Sequence, residues 1–219
     1  MKKYSRILKK CPLFDGIEED DLFRMLNCLG ATVKSFDKKY AIFAEGDPAK
    51  YIGIVLSGSV QIIQNDYYGN RSILSSIESA QVFAEAFACA GLSTIPVTVI
   101  ANEPCEIMLI DCNHILQVCS NNCKFHNKLI FNLMKDIAVK TIIFHQKIDV
   151  ISKRSTREKL VTYLFQQSKK AQSDSFDIPF NRQELADYLE VDRSGLSVEI
   201  SKLKKEGIIN NQKRHFVLL

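Results

Sequence analysis

The chain has no long hydrophobic run. Its longest apolar stretches, such as Tyr51 to Leu56 and Ile107 to Ile110, fall far below the roughly 20 residues that span a bilayer, so no membrane partner is expected. The amino terminus offers no export signal either. Met1 to Pro12 carries five basic residues separated only by the short gaps Tyr4-Ser5 and Ile7-Leu8, and no apolar stretch with a small-residue cleavage site follows. A cytoplasmic location is expected. There is no CxxC motif: the seven cysteines are Cys11, Cys28, Cys89, Cys105, Cys112, Cys119 and Cys123, and the closest pair is four apart. An odd count without an export signal argues against a disulfide framework, and the spacing gives no set of iron–sulfur ligands. Buried thiols are one reading, and a cysteine-based redox regulator is another. Histidine is scarce as well: His114, His126, His145 and His215 all fall outside the strand-like runs between Ala31 and Ile110. With neither a metal cluster nor an activated nucleophile in view, no catalytic residue, metal or cofactor is expected, and the chain is not read as an enzyme.

What is present divides into three stretches. A length of 219 residues, 46% of them hydrophobic, exceeds one average domain and can bury two smaller cores. Up to Ser152 there are 16 Lys/Arg and 16 Asp/Glu, and beyond it 13 and 9, so the formal charge of +4 sits in the last third. That points to a polyanionic partner for the C-terminal part. From Ala31 to about Ile110 short apolar or alternating runs are broken by turns: Ala41 to Phe43, Tyr51 to Leu56, Val60 to Ile63, Ser72 to Ile77 and Val97 to Ala101 run between segments such as Glu45-Gly46-Asp47-Pro48 and Tyr68-Gly69-Asn70-Arg71. This is the pattern of an all-β sandwich or barrel. Ahead of it, Glu18 to Leu29 reads as an amphipathic helix, with Leu22, Met25, Leu26 and Leu29 on one face.

From Asn121 the period changes. Ile130, Met134, Ile137, Thr141, Phe144, Ile148 and Ile151 alternate spacings of four and three with no Gly or Pro inside, which is a heptad seam that calls for a partner helix. Ile142, Ile143 and Val150 lie outside the seam, so one face can meet a partner and another the barrel. A basic segment, Lys153 to Arg157, and a helix to about Lys170 follow. The domain boundary is placed there: residues 1–152 hold the barrel and the dimerisation helix (about 121–152), and residues 153–219 form the second domain.

The last stretch carries the most specific pattern. Asn181 can cap a helix with Glu184 three residues on, burying Leu185, Ala186 and Leu189. Asp192 can cap a second helix burying Leu196, Ile200 and Leu203. Two short helices with small Ala186 at their crossing make a helix-turn-helix, whose second helix presents its N-terminal end to the major groove. Arg182 and Gln183 on the first helix, and Arg193, Ser194, Ser197, Val198, Ser201 and Lys202 on the second, are the candidate DNA contacts. Arginine can bond two guanine acceptors at once, serine reaches a base or a phosphate, and lysine suits phosphates. Gly207 to Ile209, a turn over Asn210 to Arg214 and His215 to Leu218 read as a two-stranded wing with Lys213 and Arg214 at its tip.

The chain resembles the Crp/Fnr family of bacterial transcription regulators. The resemblance runs through Leu13-Phe14-Asp15-Gly16-Ile17, Glu45-Gly46-Asp47, Tyr51 to Val60, the heptad helix and Arg182-Gln183-Glu184-Leu185-Ala186. It implies an α+β architecture: an N-terminal double-stranded β-roll of jelly-roll type, a long dimerisation helix and a C-terminal winged helix-turn-helix. It also implies a homodimer on palindromic double-stranded DNA, contact with RNA polymerase, and coupling of effector to DNA through a hinge near Ser152 and Lys153.

Departures from the family pattern bear on the effector. Members that bind cyclic AMP use a Gly-Glu-Leu segment for the ribose and an Arg-Ser pair for the cyclic phosphate; here the first reads Phe83-Ala84-Glu85-Ala86-Phe87 and the second Ile95-Pro96. Nothing basic lies between Arg71 and Lys124. The N-terminal cysteine group of cluster-binding members and the barrel histidine of haem-binding members are also missing. Ile62, Leu74, Phe83, Phe87, Ile143 and Phe144 are expected to line a largely apolar site, suited to a small apolar effector with one polar group for Glu85; the same side chains could instead fill the barrel as core. In the recognition helix Val198 replaces the usual second arginine, Glu190 replaces the glycine of the turn, and Gly195 weakens the helix. A sensing or scaffold module with degenerate DNA binding is therefore the alternative.

Overall fold

The structure, a computed structural model, describes residues 2–116 and 124–219. Cys119, Cys123 and the expected helix start at Asn121 lie outside the described residues. Two compact units are formed, residues 1–64 with 75–141 and residues 65–74 with 142–219.

In the first unit a short helix, α1 (Ser5–Leu8), and the amphipathic α2 (Glu19–Cys28) precede the strands. These are β1 (Thr32–Phe36), β2 (Ala41–Phe43), β3 (Tyr51–Ser57), β4 (Val60–Asn65), β5 (Arg71–Ile77) and β6 (Val82–Phe83), then β7 (Thr98–Ala101) and β8 (Cys105–Asp111) after a short α3 (Glu85–Cys89). A helical turn, α4 (Cys112–Leu116), follows β8. Two four-stranded sheets result, in the orders β1-β8-β3-β6 and β2-β7-β4-β5. The described pairs are antiparallel, as expected of the β-roll. The runs at β2, β3, β4, β5 and β7 were legible as strands; β1, β6 and the helices α3 and α4 were not, because each is too short or too irregular to set up a period.

Register explains which side chains face where. Gly53 pairs with Phe83 on one side and with Leu109 on the other, and directly opposed residues share a face. The neighbouring positions Ile52, Ile54, Met108 and Ile110 point the other way, into a core with Leu22, Leu26, Leu129 and Leu133. Phe83 on the inner face meets Phe43 of the second sheet at a centroid distance of 5.8 Å. Its ring lies over the Gly53 backbone so closely that a Cβ there would sit 2.1 Å from Phe83 Cζ. Only glycine leaves room for an aromatic ring in this position. The inner space beside Gly53 is thus occupied by Phe83.

The long helix α5 (Lys124–Ile151) continues beyond the first unit. Its barrel-facing stripe buries Leu129 and Leu133 in the core, with Ile130 and Ile137 half-buried against it. Asn132 donates to the carbonyls of Leu13 (3.0 Å) and Asp15 (2.8 Å), pinning the amino-terminal segment to the helix. Other seam positions are left uncovered: Met134, Phe144 and Ile148 are 60%, 45% and 56% exposed. Ile130 and Ile137 lie at the edge of the expected seam, shared with the chain's own core.

In the second unit α6 (Thr156–Ala171) starts at Ser155, whose side chain forms a full capping box with Glu158. β9 (Ser175–Asp177), α7 (Arg182–Leu189), α8 (Arg193–Lys205), β10 (Ile209–Gln212) and β11 (His215–Leu218) complete it. The wing departs from the expected two strands. It is a three-stranded sheet, β10-β11-β9; β10 runs on to Gln212, so the turn is confined to Lys213 and Arg214 rather than spanning Asn210 to Arg214. The polar side chains of Asn210, Asn211 and Gln212 hide a strand whose backbone pairs with His215 to Val217. Tyr163, Phe180 and Tyr188 pack as an aromatic cluster with centroids 4.8–6.4 Å apart. Buried Lys147 of α5 places its ammonium 4.5 Å over the Tyr188 ring and donates to the Ile73 carbonyl. Burial pulls its pKa down to about 8.

Gly53→Ala is expected to destabilise the protein by about 1–3 kcal/mol through overpacking. The double substitution Gly53→Ala/Phe83→Leu should lose less than the two single losses added together, because the smaller residue vacates the space the methyl needs. Urea unfolding of the four proteins measures this, and additive losses would mean that Phe83 does not fill the barrel against Gly53.

Candidate effector pocket and nucleic-acid interface

The segment Phe83 to Phe87 turns a corner from β6 into α3. Ala84 takes a left-handed conformation at φ +63° and serves as the helix cap. A Cβ in this region costs of order 1 kcal/mol, and a glycine would adopt it freely. The corner turns Glu85 inward, where it is only 4% exposed. Its carboxylate is answered by Lys140 of α5: Nζ lies 2.7 Å from Glu85 Oε1 and 2.7 Å from Asp136 Oδ2, and donates to the Val82 carbonyl at 2.7 Å. Glu85 Oε2 is buried and has no hydrogen-bond partner among the described residues.

Lys140 is the residue the sequence reading missed. The search for a cation stopped at the stretch between Arg71 and Lys124, whereas the charge arrives from the long helix. The available signal was the Asp136/Lys140 pair, four apart and in phase with Leu129 and Leu133. Of the expected effector residues, Ile62, Phe83, Ala84, Glu85 and Ile95 are buried in the first unit. Phe87 is half-buried, and Ala86 and Pro96 are exposed. Ile95 is held by its N–H to the Asp47 carbonyl (2.8 Å) and by the Gly46 N–H to its own carbonyl (2.9 Å), so alternation turns Pro96 to solvent. Leu74, Ile143 and Phe144 belong to the second unit: the first is half-buried and the other two exposed. Two clefts are formed elsewhere, one of about 240 Å³ beside Lys50 and Cys112 and one of about 400 Å³ beside Phe36 and Glu106.

The helix-turn-helix is built as its sequence requires. Asn181 accepts from the N–H groups of Gln183 (2.9 Å) and Glu184 (3.0 Å), and Glu184 returns a bond to the Asn181 N–H at 2.7 Å. Asp192 accepts from the Gly195 N–H at 2.8 Å and from the Ser194 hydroxyl; these bonds, the hydroxyl's foremost, hold its carboxyl below the ordinary range. Between the helices Glu190 adopts φ +54°, the left-handed turn residue expected of that position. Leu185, Ala186, Leu189, Leu196, Ile200 and Leu203 form the buried seam.

Arg193 is the first residue of α8, exposed and without a side-chain partner among the described residues. Ser197 and Ser201 are turned back onto the helix, donating to the carbonyls of Arg193 and Ser197 at 2.9 Å. Lys202 is paired with Glu199 at 2.7 Å, and Val198 is exposed. Gln183 is exposed and donates to Asp187 at 2.7 Å. Arg182 is half-buried, and desolvation lowers its pKa. Exposed Lys213 takes φ +54° at the wing tip, beside Arg214, whose guanidinium lies 3.9 Å from Glu184. The basic segment before α6 is partly neutralised, since Lys153 pairs with Asp149 and Arg157 with Glu206. Among the described residues no cluster of His, Cys, Asp and Glu could hold a metal ion.

This barrel and winged helix pair define a class, the effector-sensing transcription regulators, and comparison with known proteins agrees on both parts. Residues 33–122 match the cyclic nucleotide-binding domain, and residues 158–219 match the Crp-like helix-turn-helix domain. The chain belongs to the Crp/Fnr-type transcription regulators. Similar solved structures include the c-di-GMP-responsive global regulator CLP of Xanthomonas campestris, at 19% identity and a TM-score of 0.75, covering 92% of this chain and 99% of that one. FixK2 from Bradyrhizobium japonicum matches at 20% identity and 0.68, covering 86% and 92%. A putative cAMP-binding regulatory protein from Silicibacter pomeroyi matches at 17% and 0.53, covering 100% and 94%. No curated protein matches significantly.

Glu190→Gly should raise stability by about 0.5–1 kcal/mol by removing the strain of a left-handed side chain. Chemical denaturation checks this, and a loss of stability would show that the Glu190 side chain contributes more than its backbone costs.

Proposed function

We propose that the protein acts as a homodimer on palindromic double-stranded DNA and is switched by a small, largely apolar effector other than cyclic AMP. In this reading residues 1–152 sense and dimerise and residues 153–219 read DNA. The observation that carries the DNA reading is Arg193. It stands unengaged at the N-terminal end of a doubly capped helix pair, where such motifs meet base edges. Arg182, Gln183, Ser194, Ser197, Val198, Ser201, Lys202, Lys213 and Arg214 complete the surface, the lysines and the wing tip contacting phosphates. Family membership supports contact with RNA polymerase and a cytoplasmic location; among the described residues no helix is long and apolar enough to cross a membrane.

A second copy is the occupant that the α5 seam fits. Met134, Thr141, Phe144 and Ile148 share one face and are exposed, and the heptad spacing suits a parallel partner helix. Ile130, Ile137 and Ile151 flank that stripe, and two-fold pairing would present two recognition helices to two half-sites. Because Ile137 also packs on the chain's own core, Met134 and Ile148 are the informative positions. Met134→Glu/Ile148→Glu should leave the fold intact and break the dimer by burying unpaired charge. Sedimentation that still finds a dimer would place the interface elsewhere.

Arg193→Ala should cost about 1–3 kcal/mol of specific binding and relax preference at one position per half-site. Lys213→Ala should weaken all duplexes evenly and lower the salt dependence. Binding titrations over salt on a selected palindrome and its variants measure both. A uniform loss for Arg193→Ala would remove its base-reading role, and salt-independent binding would favour the degenerate alternative suggested by exposed Val198.

The effector reading rests on charge and space. No basic residue stands at Ile95 and Pro96, so a cyclic phosphate there would forgo a charge-assisted contact and stay partly desolvated. The pocket cation, Lys140, is already committed to Glu85, Asp136 and Val82. Phe83 occupies the space beside Gly53, while the free Glu85 Oε2 can accept from one hydroxyl or amine of an otherwise apolar molecule. Calorimetry is expected to detect no micromolar binding of cyclic AMP or cyclic GMP, and such binding by either would refute this assignment.

A further inference from the structure

Two thiols outside the proposed effector and DNA contacts touch each other. Cys89 ends α3, and Cys112 begins α4 directly after β8. Their sulfurs are 3.3 Å apart. Cys89 is half-buried and Cys112 buried. The cleft of about 240 Å³, lined by Pro48, Lys50, Ala88, Leu92 and Asn113, reaches Cys112 from outside. Elsewhere among the described residues no two thiols meet: Cys11 and Cys105 are buried apart, and Cys28 is exposed and alone.

We propose that Cys89 and Cys112 form a peroxide-responsive dithiol that closes to a disulfide and ties α3 to α4. The more accessible Cys89 is the attacking sulfur. With the Cys112 S–H as the donor, the contact favours thiolate at Cys89 and pushes the pKa of Cys112 up in return. The Cys89 thiolate attacks one oxygen of hydrogen peroxide, the O–O bond breaks, and a sulfenic acid forms as water leaves. The Cys112 sulfur then attacks the Cys89 sulfur, the S–O bond breaks, and a second water carries away the Cys112 proton. Two thiols and one peroxide thus give one disulfide and two waters, with two electrons passing from sulfur to peroxide. In a reducing compartment such a bond is transient and suited to sensing rather than to scaffolding. Its position gives it leverage, since α3 begins at Glu85 and the link would fix the helix that carries the buried carboxylate.

The test uses the full-length protein treated with stoichiometric hydrogen peroxide, then thiol blocking under denaturing conditions and mass mapping of chymotryptic peptides, because cleavage after Phe87, Leu92, Leu109 and Leu116 separates Cys89 from Cys112 and from the other cysteines. A Cys89–Cys112 cross-linked peptide is expected as the main product, reversed by dithiothreitol. Cys112→Ser should leave Cys89 as a dimedone-reactive sulfenic acid, and Cys89→Ser should leave Cys112 unoxidised. Should Cys112→Ser fold poorly by circular dichroism, Cys112→Ala serves in its place. Recovery of both thiols as free after treatment, pairing of either with another cysteine, or sulfenic acid on Cys112 would each overturn the proposal.

Discussion

A carboxylate buried among apolar side chains must be answered by a cation, and for Glu85 that cation comes from the long helix rather than from the barrel. Lys140 reaches Glu85, Asp136 and the Val82 carbonyl at once, so the corner Val82 to Glu85, the short helix α3 and the face of α5 are held by one ammonium group. Removing Lys140 would leave the Glu85 carboxylate buried and uncompensated, a cost of about 3–5 kcal/mol. Register follows from the same constraint. With Lys140 fixed on Glu85, Leu129 and Leu133 must face the core, and Met134, Thr141 and Ile148 must face away. The apolar stripe proposed for dimerisation is therefore set by the barrel carboxylate. Lys140, spent inside the protein in this way, is not free to meet a cyclic phosphate.

The second unit is organised on a similar economy of charge. Lys147, two turns beyond Lys140 on the same helix, is buried against Tyr188 of α7 and bonded to Ile73 of the β4–β5 hairpin. Its depressed pKa records that the site disfavours the charge it holds, while the ring face and the carbonyl offset part of that cost. Glu190, which ends α7, accepts a bond from Lys159 of α6 through its carbonyl. The recognition helix is thus placed by caps, an aromatic cluster and these two lysines, leaving Arg193 unengaged at its N-terminal end.

Much of this was legible in the sequence, for identifiable reasons. The caps at Asn181 and Asp192, the buried positions of α7 and α8 and the left-handed turn at Glu190 depend on neighbours within a few residues, and short-range rules found them. The strands β2 to β5 and β7 were readable because they alternate or run apolar between strong turns. The features that were not legible depend on distant partners. The third wing strand β9 exists because β11 is there to pair with it. Pro96 faces solvent because backbone bonds to Gly46 and Asp47 fix Ile95 inward. Phe83 fills the barrel because Gly53, thirty residues earlier, lacks a side chain. Lys140 was overlooked because charge compensation was sought along the barrel sequence and not across to the helix.

If Glu85 and Lys140 act as a unit, they hold the barrel corner to α5. A double-mutant cycle with Glu85→Gln, Lys140→Met and both together, read by urea unfolding at neutral pH, measures this directly. If the pair secures the barrel corner to α5, each single substitution should destabilise more than the double substitution does, with a coupling of about 1–3 kcal/mol. Single losses that simply add, to within about 0.5 kcal/mol, would contradict it.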